Sequence, residues 1–424
     1  MSSGPNKRIA VIGAGAAGIA AAKYLLAEGL SVTILERKTG AGGVWNTQPG
    51  NGLWPSPVYD GLTTNVPRTL MTFANYPWPA DASLFPTSST VNEYLQAHLA
   101  QIRNSVAADS LCVSFATEVT DLRKSKFEHS PSWKIKTRTY RFGQEPTDQN
   151  VLVVGNSASG WDISLQLAST AKTVYVSTSR KRNENSFSAP THIGVPQIRS
   201  ADATTRSVTF EDGTVARDLD CVVFCTGYVY DFSFIHKGDE LLFPAGLRVR
   251  NVYEHMFYTE DPTLTFVGLP KMSAAFNVVE AQSAVVARLL NKRISIQSKR
   301  ERNRRVQNKE DDWEEQMRLG EAGASDYHSF RLAEDKEYVN RMLEWSMEAV
   351  EPTAFGDNGL PPPYWCKCLD TAREQSRDVR AAFNAKGDNR HGYTSVRSLG
   401  FKVNKTCAEG RSKMKGRFCS SCFI

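Results

Sequence analysis

Two glycine-rich turns in this chain have the spacing that cradles a dinucleotide. The first follows the apolar residues 8–12 and places Gly13, Gly15 and Gly18 in the pattern GAGAAG. The first glycine allows a tight bend, the second lets the backbone approach a pyrophosphate, and the third lets helix and strand pack closely. The next helix offers its free N–H groups and positive dipole end to the anion. The sequence therefore predicts a dinucleotide site here.

An acidic residue follows the next apolar stretch of this first unit. Residues 31–35 are predicted to form a strand, and Glu36 comes 21 residues after Gly15. A carboxylate at this position binds a ribose hydroxyl and repels a 2′-phosphate. We therefore expect Glu36, with Arg37 beside it, at a site for FAD or NAD.

The second turn, near the middle of the chain, differs from the first in two ways. Its three fingerprint residues, in the pattern GNSASG, are Gly155, Ser157 and Gly160. Ser157 replaces the usual middle glycine, and no acid follows the next predicted strand, where Ser177 and a basic run with Arg180 stand instead. Hydroxyls and a planar guanidinium suit a 2′-phosphate. The sequence thus favours NADPH here, with a merely solvated basic turn at 180–182 as the alternative.

Further stretches extend the pattern of the first turn. Gly43 and Trp45 follow the acid in GGVWN, where paired glycines allow close backbone approach and the indole offers a flat apolar wall. With other segments over roughly residues 7–365, this stretch resembles the flavin-containing monooxygenases, in their fungal branch of dimethylaniline- or thiol-oxygenating enzymes. In order, the matching segments are GAGAAG, GGVWN, TNVPRTLMTFANYPWP, GNSASGWDIS, FCTGYVYDF and FVGLPKMSAAFNVVEAQSAVVARLL.

The resemblance implies a cofactor-based mechanism. NADPH would reduce FAD, and reduced flavin would take up O₂ to give a C4a-hydroperoxyflavin. A small substrate with a soft amine nitrogen or a thiol or sulfide sulfur would then attack the distal oxygen. Because the cofactor carries the hard chemistry, the protein has to supply a dry site and hydrogen bonds that keep peroxide from leaving.

The resemblance also assigns individual residues. Asn65, in the stretch TNVP, matches the family's asparagine beside the flavin, and we expect it to be catalytic. An amide suits that role because it donates and accepts hydrogen bonds without titrating; the alternative is an ordinary turn asparagine before a proline. Thr226 and Gly227 resemble the linker that returns the chain to the first domain. Gln282, near the start of a long predicted helix, is a candidate contact to the cofactor.

Three other functions stay open beside this one. Baeyer–Villiger and N-hydroxylating monooxygenases share both fingerprints, and a non-catalytic nucleotide-binding remnant would keep the motifs without turnover. A disulfide reductase is disfavoured, because the Cys419–Cys422 pair lies in a basic tail without a strand and helix around it. The seven histidines do not cluster at metal-ligand spacing, so we predict no metal.

Charge and hydropathy limit the partners. Residues 386–424 hold nine Lys or Arg against two Asp or Glu, so the rest of the chain, with a total net charge of +6, is close to neutral. A global basic surface for nucleic acid is therefore not expected. There is no run of about 18 apolar residues and no room for a leader before the first strand. The cytosol is the expected location; attachment to a membrane surface and the oligomeric state stay open.

The order of motifs predicts an α/β fold with two Rossmann-like dinucleotide-binding domains, the FAD domain being split by an inserted NADPH domain. The predicted boundaries are 1–141 and 231–383 for the two parts of the FAD domain, 142–230 for the NADPH domain, and 384–424 for a basic tail, disordered from about residue 386. Smaller predictions are a helix at 91–102, a hairpin at 204–215, a strand at 264–267 and a helix at 279–291.

One region departs from the family pattern. Only fourteen residues, 137–150, separate two predicted strands where the family has several dozen more, including an apolar strand and a signature histidine. Loss of that strand would expose an apolar edge of the FAD-domain sheet and remove one interdomain tether. Such a chain is either a mis-spliced or misannotated product, which we favour, or a divergent member with weakened flavin binding.

Overall fold

The computed structural model describes residues 7–47, 56–59, 61–124, 133–138, 150–156, 158–167, 171–178, 192–236, 246–349 and 359–401. The chain divides into two compact units: residues 1–142 together with 230–424 form the first, and residues 143–229 form the second. Both contain parallel sheets with helices, in keeping with the predicted α/β class. Which nucleotide each unit holds stays a prediction.

The N-terminal part of the first unit is built around a parallel sheet in the order β1-β2-β3, with Arg8 opposite Ser31 and Val32 opposite Leu111. A separate antiparallel pair, β4 and β5, follows it. The elements are β1 (Arg8–Ile12), α1 (Ala16–Ala27), β2 (Ser31–Leu35), α2 (Ser88–Asn104), β3 (Leu111–Ser114), β4 (Glu118–Lys124) and β5 (Trp133–Arg138).

The helix predicted at 91–102 begins three residues earlier, at Ser88. Thr87 caps it, because the Thr87 Oγ1 accepts a hydrogen bond of 3.3 Å from the N–H of Thr90. A threonine in this position satisfies one of the donors that a helix start leaves unpaired.

β1 exposes one of its two faces. Val11 and Ile34 of this sheet are buried among α1 and α2, whereas Ala10 and Ile12 on the other face are exposed, Ile12 by 40 %. Within the described part of the chain, β1 pairs with β2 alone. The exposed apolar edge expected from the short 137–150 segment stays a prediction, because the larger part of that segment lies outside the described residues.

The second unit is a parallel sheet in the order β12-β6-β7-β8 with an antiparallel sheet β11-β10-β9. The hairpin predicted at 204–215 is the β10–β11 pair, in which Val208 lies opposite Ala216. The elements are β6 (Val151–Val154), α3 (Ala158–Leu167), β7 (Val174–Ser177), β8 (His192–Val195), β9 (Ile198–Asp202), β10 (Ser207–Phe210), β11 (Val215–Ala216) and β12 (Cys221–Phe224).

The chain then returns to the first unit, where α4 is buried along almost its whole length against α1 and α6. This helix begins at Ala275, four residues before the predicted start. The elements are β13 (Val252–Tyr253), β14 (Phe257–Tyr258), α4 (Ala275–Leu290), α5 (Lys299–Arg318), α6 (Glu334–Met347), α7 (Lys367–Glu374) and α8 (Ser376–Asn384).

The strand predicted at 264–267 is wrong. Thr265 makes one isolated bridge with Phe257, and Phe266 packs its ring into a small apolar cluster. The next residue but one, Gly268, has a φ of +92°, which turns the backbone out of an extended path. The apolar run was therefore a buried loop, which periodicity alone does not separate from a strand.

The disorder predicted from residue 386 is wrong for residues 386–401. Short 3₁₀ turns occur at Gly387–Gly392 and Arg397–Leu399. Tyr393 and Phe401 pack against a cluster formed with Phe85 and Phe383. Residues 402–424 lie outside the described part of the chain.

Candidate functional site

The first glycine turn has the geometry of a dinucleotide fingerprint. Gly13 has a φ of +98°, and its N–H donates a hydrogen bond of 2.8 Å to the carbonyl of Leu35. A Cβ on Gly18 would lie 1.9 Å from the Gly13 carbonyl oxygen, so only glycine lets α1 start this close to the turn. The turn is fixed by the two glycines and by β2.

A second backbone segment lies directly against this turn. The N–H of Gly42 donates to the Ala14 carbonyl at 2.9 Å, and a Cβ on Gly43 would come 2.8 Å from the Gly15 Cα. Gly15 begins α1 without any side-chain cap, so the first N–H groups of the helix are left to an anion or to water. Trp45, half-buried, packs against the same apolar cluster as α1.

Glu36 lies at the end of β2 and faces the turn. Its carboxylate accepts hydrogen bonds from the N–H of Ala14, at 2.6 Å, and from the N–H of Lys38, at 2.8 Å. The Lys38 ammonium in turn donates to the Gly43 and Asn46 carbonyls, and burial lowers the pKa of this lysine. Glu36 is thus buried at the predicted ribose position, whereas Arg37 is exposed.

Asn65 is exposed on a loop whose neighbours are fixed. The N–H of Thr64 donates to the Pro86 carbonyl at 3.0 Å, and the N–H of Arg68 donates to the Leu84 carbonyl at 2.8 Å. On the far side of Asn65, Val66 packs against the cluster that contains α1. The loop therefore holds an accessible amide on a rigid support, which its predicted role requires.

Gln282, a predicted cofactor contact, lies in the core instead. Its Oε1 accepts the N–H of Gly268 at 2.8 Å, and its Nε2 donates to the Tyr338 hydroxyl at 2.9 Å. The residue has no exposed surface, so a cofactor bound to this structure does not reach it. Its amide instead fixes Gly268, whose missing Cβ would lie 3.3 Å from the Ala17 Cβ in α1.

A buried ion pair next to the first turn was missed by sequence reasoning. The Lys23 ammonium in α1 and the Glu280 carboxylate in α4 are 2.7 Å apart, and both also bond the backbone of Ala74. Burial raises the pKa of Glu280, and the charge of Lys23 opposes that shift. The available signal was an acid within the apolar run AFNVVEAQSAVV, because a buried charge is kept only when it is paired.

The aromatic stretch Phe73–Pro79 is mainly core. Phe73 is fully buried, and the rings of Trp78 and Tyr94 stack at 3.8 Å. The indole N–H of Trp78 donates to the Met71 carbonyl at 3.0 Å, which satisfies the one polar atom of that ring. These aromatics belong to the apolar cluster on which Val66, the neighbour of Asn65, packs.

The second glycine turn repeats the geometry of the first. Gly155 has a φ of +99°, its N–H donates to the Ser177 carbonyl at 2.8 Å, and a Cβ on Gly160 would lie 1.9 Å from the Gly155 oxygen. A Cβ on Gly155 would also come 2.5 Å from the Cys225 carbonyl, so the residues after β12 lie beside the turn. Thr226 and Gly227, both exposed, follow there.

Ser177 does not present its hydroxyl to an open site. The side chain is buried and donates to the Pro196 carbonyl at 2.9 Å, so we correct this predicted contact: Ser177 supports the turn that follows β8. Ser157 and Arg180 lie outside the described residues. The absence of an acid at the end of β7 is the feature that still distinguishes this turn from the first.

In the first unit, a polar cavity of about 520 Å³ lies between α5 and α6. At its wall, the Lys309 ammonium is 2.5 Å from the His255 Nε2, and the Nδ1 atoms of His255 and His328 are 2.8 Å apart. Burial lowers the pKa of His255, and it lowers the pKa of His328 to about 3. Both imidazoles are therefore neutral near pH 7.

The described residues contain no group of three or more His, Cys, Asp or Glu side chains arranged to hold a metal ion. In the same part of the chain, no helix is both long and apolar enough to cross a bilayer.

Known proteins share these features across most of the chain. The model of the flavin-binding monooxygenase-like family matches residues 6–141 and 190–344. The chain belongs to this family. The match covers the first turn, Glu36 and Asn65, and it leaves out the second turn at Gly155. The resemblance inferred from the motifs is confirmed.

Individual relatives of this flavin-binding monooxygenase agree. It is 30 % identical over 354 residues to the thiol-specific monooxygenase of Saccharomyces cerevisiae, covering 70 % of this chain and 80 % of the yeast one. It is also 30 % identical over 358 residues to the flavin-containing monooxygenase FMO GS-OX-like 2 of Arabidopsis thaliana, covering 70 % and 76 %. The alignment with the yeast protein is 354 positions long, yet it covers only 70 % of this 424-residue chain. Several dozen aligned positions of the yeast protein therefore have no counterpart here.

The structure of S-allyl-L-cysteine S-oxygenase from Allium sativum has the same fold. The TM-score is 0.71 at 23 % identity, covering 96 % of this chain and 98 % of that one. The fold is thus supported, and the family match with the yeast and Arabidopsis relatives shows that the chain is an enzyme of the flavin-containing monooxygenase class, which supports FAD. The first turn fits that cofactor, because Gly13, Gly18 and Gly43 allow the close backbone packing of a dinucleotide fingerprint and the start of α1 has no side-chain cap.

Proposed function

We propose that this chain is an NADPH- and O₂-dependent monooxygenase that oxygenates a small sulfur nucleophile, a thiol or a sulfide, with soft amines as the second substrate class. The observation that carries the proposal is the first turn, where the uncapped start of α1 and the Glu36 carboxylate lie together and suit the pyrophosphate and a ribose of FAD. The preference for sulfur is supported by two relatives, one named a thiol-specific monooxygenase and one an S-oxygenase.

Different residues of the first unit have different roles in this proposal. The N–H groups at the start of α1 bind the pyrophosphate, and Glu36 binds a ribose hydroxyl. When bound and reduced, FAD activates O₂ for transfer to the substrate. Asn65, exposed on its fixed loop, would hold the oxygen to be transferred through a hydrogen bond from its amide. Arg37, Gly43 and Trp45 complete the FAD site beside Gly13 and Gly15.

The second unit binds NADPH in this proposal. Gly155 and Gly160 have the geometry that brings a backbone close to a pyrophosphate. Ser157 and Arg180 are proposed contacts, as are Thr226 and Gly227 beside the turn. NADPH is preferred to NADH because no carboxylate follows β7 to repel a 2′-phosphate.

One experiment tests the whole proposal. The full chain is purified, its visible spectrum is recorded, and NADPH and then NADH are added in air while O₂ uptake is followed. We expect bound FAD, faster oxidation of NADPH than of NADH, and a higher yield of oxygenated product with glutathione or a sulfide than with dimethylaniline. Cyclohexanone is the matched control, since its oxidation alone would assign Baeyer–Villiger activity and overturn the proposal.

A non-catalytic remnant is the second candidate, and the exposed apolar face of β1 favours it specifically. An apolar strand face that is left uncovered weakens the sheet on which the FAD turn depends. A folded but colourless protein that FAD does not restore would support this candidate and contradict the first.

A further inference from the structure

The C-terminal residues 376–401, which we call the C-terminal segment, lie beyond the family match, which ends at residue 344. They contain α8 and two 3₁₀ turns. The apolar side chains of this segment contact one another and also a distant part of the chain. They pack on Leu84 and Phe85, residues that run beside the Asn65 loop.

Arg380 of this segment bonds the Asn65 loop directly. Its Nη1 donates to the Thr63 Oγ1 at 2.8 Å and to the Thr64 carbonyl at 2.6 Å. The guanidinium carbon also lies 5.0 Å from the centre of the Phe85 ring, a cation–π distance. The Thr64 carbonyl and the Asn65 N–H belong to the same planar peptide bond. By bonding this carbonyl, Arg380 fixes the orientation of the backbone that leads into Asn65.

Two hydrogen bonds to backbone carbonyls anchor the same segment further along. The N–H of Leu84 donates to the Tyr393 carbonyl at 2.8 Å, and the Arg68 Nη2 donates to the Thr394 carbonyl at 3.2 Å. Phe85 and Phe383 pack with their ring centres 4.8 Å apart. Arg380 is therefore held on a packed support and not on a loose tail.

We propose that Arg380 is a positioning residue for Asn65 and that the C-terminal segment is part of the oxygenating site. This inference rests on the proposed function of Asn65. A displacement of about 1 Å in a reacting geometry can cost roughly a hundredfold in rate. When the Asn65 amide is displaced, NADPH, O₂ and a proton give NADP⁺ and hydrogen peroxide, and the substrate is not oxygenated.

The test compares three variants of the full-length protein with the unaltered chain. Arg380→Ala removes the bonds to Thr63 and Thr64, and Arg380→Lys keeps one charged donor. Arg377→Ala is the matched control, because Arg377 is an exposed arginine on the same helix. The measurements are hydrogen peroxide and sulfoxide formed per NADPH consumed, FAD content, the melting temperature, and hydrogen–deuterium exchange of peptides covering residues 61–68.

We expect Arg380→Ala to lower the product formed per NADPH at least fivefold and to raise peroxide in proportion, with FAD content and melting temperature close to those of Arg377→Ala. Exchange at 61–68 should quicken at least threefold in Arg380→Ala alone, and Arg380→Lys should restore part of both values. Unchanged product yield in a folded Arg380→Ala protein would overturn the inference. Equal losses in Arg377→Ala would overturn it as well, because the effect would not be specific to the contacts of Arg380.

Failure of the proposed function is distinguishable from failure of this inference. If the unaltered chain binds no FAD or oxygenates nothing, the proposed function fails, and the exchange experiment still decides whether Arg380 holds the loop. If the unaltered chain is active and exchange at 61–68 is the same in all variants, the inference fails while the function stands.

Discussion

The two glycine turns of this enzyme have the same local geometry and different surroundings. In each, the first glycine donates to a strand carbonyl at 2.8 Å, and a Cβ on the third would lie 1.9 Å from the first carbonyl. β6, which enters the second turn, pairs with β7 and β12 and has Leu152 and Val153 fully buried. β1, which enters the first, pairs with β2 alone among the residues that the structure describes, and it exposes Ala10 and Ile12.

The difference shows which part of a nucleotide site is local. The glycines set the turn themselves, because the contact between the first and the third lies within six residues of the chain. The burial of the strand depends on neighbours from distant segments, and the first unit has fewer of them. A turn can therefore keep its shape in a sheet that is incomplete around it.

The largest expected effect separates the two turns by cofactor. Gly18→Ala would place a Cβ 1.9 Å from the Gly13 carbonyl oxygen, so the turn has to open. We expect FAD content to fall at least tenfold. Gly160→Ala makes the same clash in the second turn and should keep FAD while NADPH-driven reduction slows at least tenfold. Flavin absorbance and anaerobic reduction rates measure both; loss of FAD in the two variants alike would break the comparison.

The residue that follows β2 in the first unit, and the one that follows β7 in the second, provide a second test of how the two turns differ. Glu36→Gln removes the charge that faces the first turn, and bonds to charged groups contribute about 1.5–3 kcal/mol. We expect FAD affinity to fall by roughly tenfold, which is about 1.4 kcal/mol. Thr178→Ala, at the position of the second unit that corresponds to Glu36, should leave FAD affinity unchanged. Titration of the apoprotein with FAD gives both constants.

Acid should weaken the first unit through its buried imidazoles. The pKa of His255 and that of His328 are lower in the folded protein than in the unfolded chain, so the unfolded chain binds protons first. Their stabilisation is present above about pH 6.5 and is lost as pH falls toward 3. Lys309, Lys271, Arg248 and Arg341 face the pair and oppose its protonation. His255→Gln should flatten the fall in melting temperature below pH 6.5, and the exposed His236→Gln should not.

The smallest expected effect concerns the exposed face of β1. Ile12→Lys places a charge on the exposed face of β1, and lysine on an open strand discourages pairing with other chains. We expect stability to change by no more than about 0.5 kcal/mol. The concentration at which light scattering reports association should rise severalfold. Leu332→Lys, at an exposed turn position, is the control and should have no such effect.

Local chemistry was predictable from this sequence. The spacing of Gly13, Gly15 and Gly18 determines its turn because no other residue fits the contact at the third position. The hairpin around Asp212–Gly213 follows from a residue pair that favours a tight turn, and Gly213 has a φ of +88°. Glu36 was found because its position is fixed relative to the turn and not to the rest of the fold.

Contacts between distant segments were not predictable. Gln282 lies on an apolar helix, where an amide can face either a ligand or the core, and its partner Tyr338 is 56 residues away. The C-terminal segment has no periodicity that predicts structure, because its order comes from Leu84 and Phe85 some three hundred residues earlier. In both cases the conformation depends on a contact with a distant element, and the local sequence does not indicate that contact.

The pairing of Lys23 with Glu280 also has a consequence for how the chain is made. The two residues are 257 positions apart, and the second unit lies between them in sequence. At about 5–20 residues per second, a ribosome needs roughly 13–50 s to synthesise that stretch. During this time the nascent α1 carries an unpaired lysine and an uncovered apolar face, so the packing of α1 has to wait for α4. The second unit, whose residues are contiguous, can fold first, and we expect it to be the earlier protease-resistant fragment on the ribosome.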